Sequence, residues 1–566
     1  MYILGVTNGQ TASACLVYNG KLIAAASEER FTRKKLDNSW PNNAIKYVLE
    51  EGKINFLKLH KVCYCWSKGF DSEKLLLSYF DRIVYEVKNN PKGLKLFRDR
   101  IDVEQARDGI KRNEFFNFLK KNNLESKGFT INHHEGHMYS ALCFSNFNDG
   151  LVVTSDGRGD FESLSVTEFN NKKINKIYSA ASNDSLGTFY ARISKLLGFS
   201  PHKHEGKVTG LSANGDPNKC IHLMRKMIKY EKGKIFGING DFYKSFSEDD
   251  GKFKAWKKVA LEKFKKFDKA DIAAAAQKQL EEILLNVINF YIKKTKKNNI
   301  CMAGGVFANV LVNQKIRELK NINKVFIQPH MGDGGLALGA AAGYYYQKTN
   351  KKIKFNNMYL GPKFDLKNEY IKKLEKKYKI EFNKKNNITD HIVEKLNKNK
   401  VIGLFQGRME FGPRSLCNRS ILYHCFDKSI NDSLNKRLDR YEFMPFAPVV
   451  ADKFAKKAFK EWKKDHIASK FMTMTYDCTK FMKENCPAVV HVDGTARPQV
   501  LDKKDNPLMY KILLKWQKKT NQIALLNTSF NHHEEPIVCT PEDAVKSFIK
   551  NNVDVLIIND FEIYKA

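Results

Sequence analysis

Three histidines and one glutamate lie within five consecutive positions, from His133 to His137. If this segment is helical, the imidazoles of His133 and His137, four residues apart, leave the same face one turn from each other. That spacing is typical of two side chains that bind one metal ion. The alternative interpretation is a single turn of a buried helix, capped by Glu135, whose histidines have only a structural role.

Two aspartates are candidates for further ligands of the same ion. Asp156 follows the strand-forming residues 151–155 and precedes Gly157, which predicts a buried strand that ends in a turn. Asp333 stands before two glycines, and its carboxylate is the second candidate. Two imidazoles and one or two carboxylates with open positions suit iron, manganese or zinc, and the residue types do not choose among these metals.

Two glycine clusters each follow a predicted strand, at 304–305 and at 332–335. Backbone N–H groups in such a turn, before a helix, can bind an anion. Together they predict an ATP site, and the alternative is that these glycines only let helices pack closely on a sheet. The candidate nucleotide contacts are Gly304, Gly305, Asn309, Gly332 and Gly334.

Arginines and small polar side chains are concentrated at loop positions in the last third of the chain. Residues 406–420 contain three arginines among glycines, and further candidates follow near 440, 497 and 525–531. A guanidinium group binds phosphate or carboxylate oxygens in pairs, so this part is predicted to be an anion-binding catalytic unit. The charged segment 28–37 could place Arg33 or Lys34 against a phosphate, or it could form ion pairs only with itself in solvent.

Composition sets limits on the class of protein. With 566 residues, 42% of them hydrophobic, the chain is expected to form several compact domains. The net charge of +35 favours anionic ligands, but the lysines are scattered, so a solvated surface is the preferred interpretation and nucleic acid is not the expected partner. Eleven cysteines without regular spacing do not predict a disulfide framework. No targeting segment and no long apolar run is recognised, so we expect a cytoplasmic location and no membrane.

The strand pattern predicts an α/β protein with two domains. Strands at 2–6, 15–18 and 21–26, with a hairpin turn at Asn19-Gly20, are typical of the start of actin-like nucleotide-binding domains. A helical insertion is predicted near 71–124. Polar, lysine-rich stretches predict a linker region at 351–389, between a domain at 1–350 and a second domain at 390–566.

Taken together, these segments resemble the O-carbamoyltransferases of the NodU/CmcH type. The resemblance covers nearly the whole chain in the expected order, and its most specific part is 406–422. The matching segments are 28–34, His133-His134 with His137, 303–309, 406–422, 445–448 and 526–531.

The resemblance implies a fold of mixed α/β and α+β class. The N-terminal part would be a duplicated α/β domain of the actin-like (ASKHA) superfamily, and the C-terminal part would be similar to the YrdC/Sua5 threonylcarbamoyl-adenylate synthases. The implied activity is ATP-dependent transfer of a carbamoyl group from carbamoyl phosphate, through carbamoyl adenylate, to a hydroxyl of a small molecule such as a sugar or natural product. A homodimer is one assembly that we expect.

The resemblance also implies roles for individual residues. Iron is the favoured metal, with manganese or zinc as alternatives, and its ligands would be His133, His137, Asp156 and Asp333. The catalytic residues would be His133, His137, Arg414 and Arg497. The carbamoyl phosphate and adenylate pocket would also include Lys34, Arg419, Arg440, Asn527 and Ser529.

Three departures from the family pattern affect this transfer of roles. Gln10-Thr11 replace the usual His-Asp pair, so no role is transferred to a histidine there. Leu438 and Met444 replace expected basic residues, and His532-His533 replace the usual segment after Asn531. Two alternatives remain, a fused tRNA threonylcarbamoyladenosine-forming enzyme, which the basic charge would suit, and an actin-like ATP-binding regulatory protein.

Overall fold

The computed structural model describes residues 1–66, 91–171, 173–237, 261–439, 446–550 and 553–565. These residues form two compact units. The first unit contains Met1–Gln10, Ala14–Leu22 and Lys53–Lys354, and the second contains Thr11–Ser13, Ile23–Gly52 and Phe355–Ala566. Both units contain helices and sheets, which confirms the predicted mixed α/β class.

Two five-stranded sheets occur in the first 354 residues, and they share one strand order. The first sheet has the order β3-β2-β1-β4-β5. Its strands are β1 (Tyr2–Thr7), β2 (Ser13–Tyr18), β3 (Lys21–Ser27), β4 (Lys61–Tyr64) and β5 (Gly128–Thr130). The second begins with β6 (Gly150–Gly159), β7 (Glu162–Phe169) and β8 (Ile174–Ala181), and after the hairpin β9 (Ile228–Glu231) and β10 (Lys234–Gly237) it is completed by β11 (Asn299–Ala303) and β12 (Lys324–Ile327).

The second sheet has the order β12-β11-β6-β7-β8. In each sheet the first strand is central, two strands follow on one side, and two parallel strands lie on the other. The first residues of the central strands are apolar and buried, as with Ile3 and Leu4 of β1 and 151–153 of β6, because both faces of such strands are covered there. The chain therefore repeats one α/β arrangement.

Helices connect many of these strands. In chain order they are α1 (Glu29–Thr32), α2 (Asn42–Glu51), α3 (Pro91–Lys121), α4 (His133–Leu142), α5 (Leu186–Leu196), α6 (Glu205–Leu211), α7 (Ile221–Arg225), α8 (Lys269–Thr295), α9 (Val310–Arg317), α10 (Leu336–Thr349), α11 (Asn368–Tyr378), α12 (Ile388–Asn397), α13 (Ile430–Arg437), α14 (Ala455–Ala458), α15 (Lys480–Asn485), α16 (Pro507–Thr520) and α17 (Pro541–Ile549). Of the predicted insertion at 71–124, residues 71–90 lie outside the described residues, and most of the remainder is α3.

Within the described residues, no helix combines the length and the apolar character that crossing a membrane requires.

The second unit is organised around an eight-stranded sheet of order β13-β22-β21-β14-β15-β20-β16-β19. Its strands are β13 (Ile380–Lys384), β14 (Ile402–Phe405), β15 (Arg419–Tyr423), β16 (Ala447–Ala451), β19 (Gln499–Leu501), β20 (Ala524–Ser529), β21 (Val555–Ile558) and β22 (Phe561–Lys565), and the short strands β17 (Tyr476–Asp477) and β18 (Thr495–Ala496) pair with each other. Residues from α12 and α16, including Leu396 and Trp516, form its buried core with β14 and β20. The stretch 351–389, predicted as a linker region, contains α11 and the edge strand β13.

The charged segment 28–37 belongs to the second unit and is used mainly to hold its backbone. The guanidinium group of Arg30 donates to the carbonyl of Gly412 at 2.9 Å. Arg33 donates to the carbonyls of Ile537 and Pro536, each at 2.7 Å. Arg30 also forms an ion pair with Glu29 of its own segment, at 3.0 Å, so the predicted pairing of this segment with itself is found in part.

The helix that carries the histidines packs directly on α10. A Cβ atom at Gly339 of α10 would lie 1.9 Å from the carbonyl oxygen of Gly136 in α4. Only a residue without a side chain permits two helix backbones to approach this closely. This contact fixes the distance of α4 from the core of the first unit.

We predict that Gly339→Ala lowers the free energy of unfolding by about 1–3 kcal/mol, because the new methyl group must push α4 away from α10. Urea unfolding measures this change. Gly109→Ala is the matched control, since the nearest atom to its Cβ would be 3.9 Å away and alanine favours a helix. Equal stability of the two variants would show that α4 and α10 do not pack as described.

Candidate functional site

The helix start at Asn132 places the histidines. The side chain of Asn132 accepts a hydrogen bond from the backbone N–H of His134 at 2.9 Å, and Glu135 accepts one from the backbone N–H of Asn132 at 3.2 Å. This capping box starts α4 at His133. The segment is therefore helical, as predicted, and Glu135 has the capping role that the structural alternative gave it.

Four candidate metal ligands converge in the first unit. The Nε2 atom of His137 lies 3.0 Å, and that of His133 3.4 Å, from Oδ2 of Asp156. Oδ1 of Asp333 lies 3.8 Å from Nε2 of His133 and 3.9 Å from Nε2 of His137. One ligand atom from each of the four residues lies within 4.8 Å of the others, which is a suitable arrangement for a single cation.

The strands bring these residues together. Asp156 lies near the end of β6, and Asp333 follows β12 after a short loop, while β11 lies between the two strands. Strands β6, β11 and β12 are parallel, so their carboxyl ends meet at one edge of the sheet. Ligands of open α/β sheets bind at this edge.

Close contacts orient the ligand side chains. The backbone N–H of Gln10 donates to Oδ2 of Asp333 at 2.7 Å. The backbone therefore orients a candidate metal ligand at the position where Gln10-Thr11 replace the family's usual pair. Asp160 accepts from the backbone N–H of His133 at 2.9 Å. A Cβ atom at Gly159 would lie 2.1 Å from Cγ of His133, so the imidazole needs a glycine beside it.

The ligands interact strongly with each other without an ion. Burial opposes charge on Asp156, but the hydrogen bonds and charges of His133 and His137 outweigh it and hold the pKa of Asp156 well below its ordinary value. Burial lowers the pKa of His133, yet Asp156 and Asp333 raise it overall. A cation bound in place of the imidazole protons would also stabilise the negative charge of Asp156.

The predicted nucleotide contacts lie beside these ligands. Gly304 and Gly305 follow β11, and a Cβ atom at Gly305 would lie 2.9 Å from Oδ1 of Asp156. Gly332 and Gly334 flank Asp333 in sequence. Asn309 caps α9 through Val312 and donates to Oε1 of Gln277 at 2.7 Å.

A separate pair of cations lies in the second unit. Desolvation lowers the pKa of Arg414 to about 10, and desolvation together with the charge of Arg414 holds that of Arg497 well below its ordinary value. Their Nε atoms are buried without hydrogen-bond partners, and no ion pair within the described residues includes either guanidinium. Two close guanidinium groups without a neighbouring carboxylate suit an anionic ligand.

The other predicted pocket residues have different surroundings. Arg419 is fully buried, and its Cζ atom lies 3.6 Å from the ring centroid of Phe405. It donates to the backbone carbonyls of Gln406, Asn418, Pro362 and Gly407. Asn527 is buried and donates to Oε1 of Gln499 at 2.7 Å. Ser529 is partly exposed at the end of β20, Lys34 is exposed, and Arg440 lies outside the described residues.

Sequence reasoning missed the residues that support the metal ligands. Gly159 and Asp160 are part of the run that follows Asp156, so the concentration of glycine and aspartate after one strand was a usable signal. Trp66, whose ring centroid lies 4.7 Å from that of His133, and the contact of Gln10 with Asp333 gave no such signal. Both belong to segments far from their partners in sequence.

Comparison with known proteins covers both halves of the chain. A family model described as carbamoyltransferase N-terminus matches residues 2–342, and one described as carbamoyltransferase C-terminus matches residues 393–565. Component A of the (R)-2-hydroxyglutaryl-CoA dehydratase of Acidaminococcus fermentans is 17% identical to this chain, and the match covers 62% of this chain and 100% of that chain. Its TM-score of 0.33 is too low to indicate a shared fold.

Relatives match along most of the chain. The uncharacterized protein MJ1051 of Methanocaldococcus jannaschii is 33% identical over the full length of both chains. The nodulation protein NolNO of Sinorhizobium fredii is 29% identical over 98% of this chain and 78% of its own length. NolO of Bradyrhizobium diazoefficiens is 31% identical over 77% of this chain and 79% of its own length. Since the N-terminal family model alone matches more than half of the residues, this chain belongs to the carbamoyltransferase family and is a transferase enzyme.

Proposed function

We propose that the protein is an ATP-dependent O-carbamoyltransferase that uses carbamoyl phosphate and passes the carbamoyl group to a hydroxyl of a small molecule. The observation that carries this proposal is the convergence of His133, His137, Asp156 and Asp333 from separate segments of the first unit. The arginine pair of the second unit supports it. Each unit thus has a group of side chains suited to one half of the reaction.

The first half-reaction belongs to the second unit in this proposal. Carbamoyl phosphate, water and ATP give carbamoyl adenylate, phosphate and pyrophosphate. Arg414 and Arg497 would bind the phosphate oxygens, because their guanidinium groups have no acidic partner within the described residues. Arg419, whose two terminal nitrogens donate to backbone carbonyls, would shape the loop that holds them. Asn527, Ser529, Lys34 and Arg440 are the remaining candidates for the adenylate pocket.

The second half-reaction belongs to the first unit. The oxygen of the acceptor hydroxyl attacks the carbamoyl carbon, the bond from that carbon to the adenylate oxygen breaks, AMP leaves, and the hydroxyl proton passes to solvent. A divalent metal held by two imidazoles and two carboxylates would supply a Lewis acid there. We propose iron, with manganese or zinc as alternatives, since the donor set suits all three.

We also propose that the first unit is an actin-like domain, and that the second is similar to threonylcarbamoyl-adenylate synthases. The repeated strand order of the first two sheets supports the first of these proposals. The glycine turns at 304–305 and 332–335, next to the ligands, would bind the nucleotide phosphates through their N–H groups.

A pyrophosphate assay tests the proposal as a whole. The metal-loaded, full-length protein is incubated with ATP and with carbamoyl phosphate, or instead with threonine and bicarbonate. We expect pyrophosphate only with carbamoyl phosphate. Release with threonine and bicarbonate would favour the tRNA-modifying alternative, and no release with either would leave an ATP-binding protein without this chemistry.

We predict that His137→Ala lowers bound metal per chain and slows carbamoyl transfer, while pyrophosphate release persists, because the two sets of residues lie in different units. Elemental analysis and the pyrophosphate assay measure these effects. His222→Ala is the matched control, since this histidine is exposed on α7 of the same unit. Unchanged metal content in His137→Ala would contradict the ligand assignment.

Arg414→Ala is expected to have the opposite effect. Loss of charge-assisted hydrogen bonds to a phosphate should lower the rate of pyrophosphate release about 10- to 100-fold or more, with metal still bound. Arg437→Ala is the control, because its guanidinium lies 3.0 Å from Asp554, an ordinary ion pair in the same unit. Equal pyrophosphate rates in the two variants would exclude Arg414 from the anion pocket.

A further inference from the structure

Helix α3 buries carboxylates where a helix usually buries apolar residues. Among its described residues, Glu104, Asp108, Phe115 and Leu119 are buried, at most 4% exposed, and they lie on one face. The C-terminal half of this face, with Phe115 and Leu119, packs in the hydrophobic core, where Phe115 stacks on Tyr64 with ring centroids 4.7 Å apart. The first half is acidic, and buried carboxylates are costly unless something binds them.

The two carboxylates differ in their partners. Glu104 accepts a hydrogen bond from Oγ of Ser182 at 2.9 Å and lies 3.8 Å from Nη1 of Arg158. Asp108 lies 3.5 Å from the same nitrogen through Oδ1, whereas its Oδ2 is buried and has no hydrogen-bond partner. Asp108 is only 3% exposed, so this oxygen cannot be satisfied by bulk solvent.

This face of α3 lies beside the candidate metal ligands. Asp108 interacts electrostatically with His133, and Lys111, one turn further along α3, interacts with both Asp108 and Asp333. The Nζ atom of Lys111 lies 4.2 Å from the ring centroid of Trp66, and that ring packs on His133. Asp108 is therefore near enough to the candidate metal ligands to interact electrostatically with His133.

The charges around Asp108 indicate what it could bind. The three cations Lys111, Arg112 and Arg158 lie among four carboxylates, those of Glu104, Asp108, Glu114 and Asp160. The remaining two negative charges are those of Asp156 and Asp333, which a divalent cation would neutralise. Since these cations do not outnumber the carboxylates, the surroundings disfavour an anionic group, and the buried Oδ2 of Asp108 suits an uncharged group that can donate a hydrogen bond, such as an alcohol.

We propose that Asp108 of α3 binds the acceptor hydroxyl of the transfer reaction, through a hydrogen bond from that hydroxyl to Oδ2. This inference rests on the proposed function and adds to it the residue that positions the acceptor oxygen and the class of acceptor, an alcohol uncharged near the reacting oxygen. Arg158 contacts Oδ1 of the same carboxylate at 3.5 Å, and Lys111 interacts with it electrostatically. Glu104 supports Arg158 and does not contact the acceptor.

The test compares Asp108→Asn with Glu104→Gln, two isosteric changes one helical turn apart on the same face. The metal-loaded, full-length protein receives ATP, carbamoyl phosphate and glycerol at high concentration as the alcohol probe. Carbamoylated glycerol, AMP and pyrophosphate are measured, together with bound metal and the melting temperature. AMP released without carbamoylated glycerol reports attack by water, the smallest acceptor, at the same carbon.

We expect Asp108→Asn to lower carbamoylated glycerol and AMP about 10- to 100-fold, the loss of one hydrogen bond to a charged group. Pyrophosphate in the first turnover and bound metal should not change, and the melting temperature should not fall, because the lost carboxylate oxygen had no partner in the protein. Glu104→Gln should lower the melting temperature and keep more transfer activity. Exposed Asp102→Asn, on the same helix, should match the unchanged protein.

Two results would overturn the inference while the proposed function stands. In one, Asp108→Asn forms product as fast as the unchanged protein. In the other, it loses stability and transfer in parallel with Glu104→Gln, which would mean that Asp108 is structural. If the unchanged protein releases no pyrophosphate and no AMP, the proposed function fails first and the inference fails with it.

Discussion

The contact of two imidazoles with one carboxylate, between α4 and the end of β6, is the interaction on which the first unit depends for its chemistry. Burying any one of these three side chains alone would be costly, but the hydrogen bonds and opposite charges between them offset that cost. Oδ2 of Asp156 contacts Nε2 of both histidines, and Asp333, from another loop, is the fourth candidate metal ligand. This buried group has the residue types and the spacing that could hold a cation, as proposed above.

Close backbone packing makes that contact possible. Gly339 lets α10 touch α4, Gly159 leaves space for the ring of His133, and Gly9 does the same for Asp333, since a Cβ there would lie 2.4 Å from Oδ2. A methyl group at any of these positions would force the neighbouring backbone or candidate ligand to move. The glycines around the site therefore set its geometry, in addition to any contact they make with a nucleotide.

Local patterns in the sequence predicted the parts of the site that are local. The i and i+4 spacing of His133 and His137 is a property of one helix, and Asp156 was recognisable from the strand before it. The contact between Gln10 and Asp333 joins residues 323 positions apart, and nothing local encodes it. Apolar periodicity does not predict the buried face of α3, because this helix buries Glu104 and Asp108 at the spacing where apolar residues are usual.

Residue type alone also left the role of the arginines open. Arg414 and Arg419 stand in one glycine-rich loop and look alike in sequence. In the structure both have a buried Nε without a partner, but only Arg419 donates to backbone carbonyls through its terminal nitrogens among the described residues. The segment 28–37 behaves similarly, because its arginines bond to carbonyls more than 380 residues away, and only the fold brings them together.

X-ray absorption spectroscopy of the metal-loaded protein tests the central claim most directly. One bound metal ion per chain, with two imidazole nitrogens and carboxylate oxygens in its first coordination shell, is the predicted result. A protein that binds no metal after equilibrium dialysis, or one whose bound metal shows no scattering from histidine rings, would contradict the account.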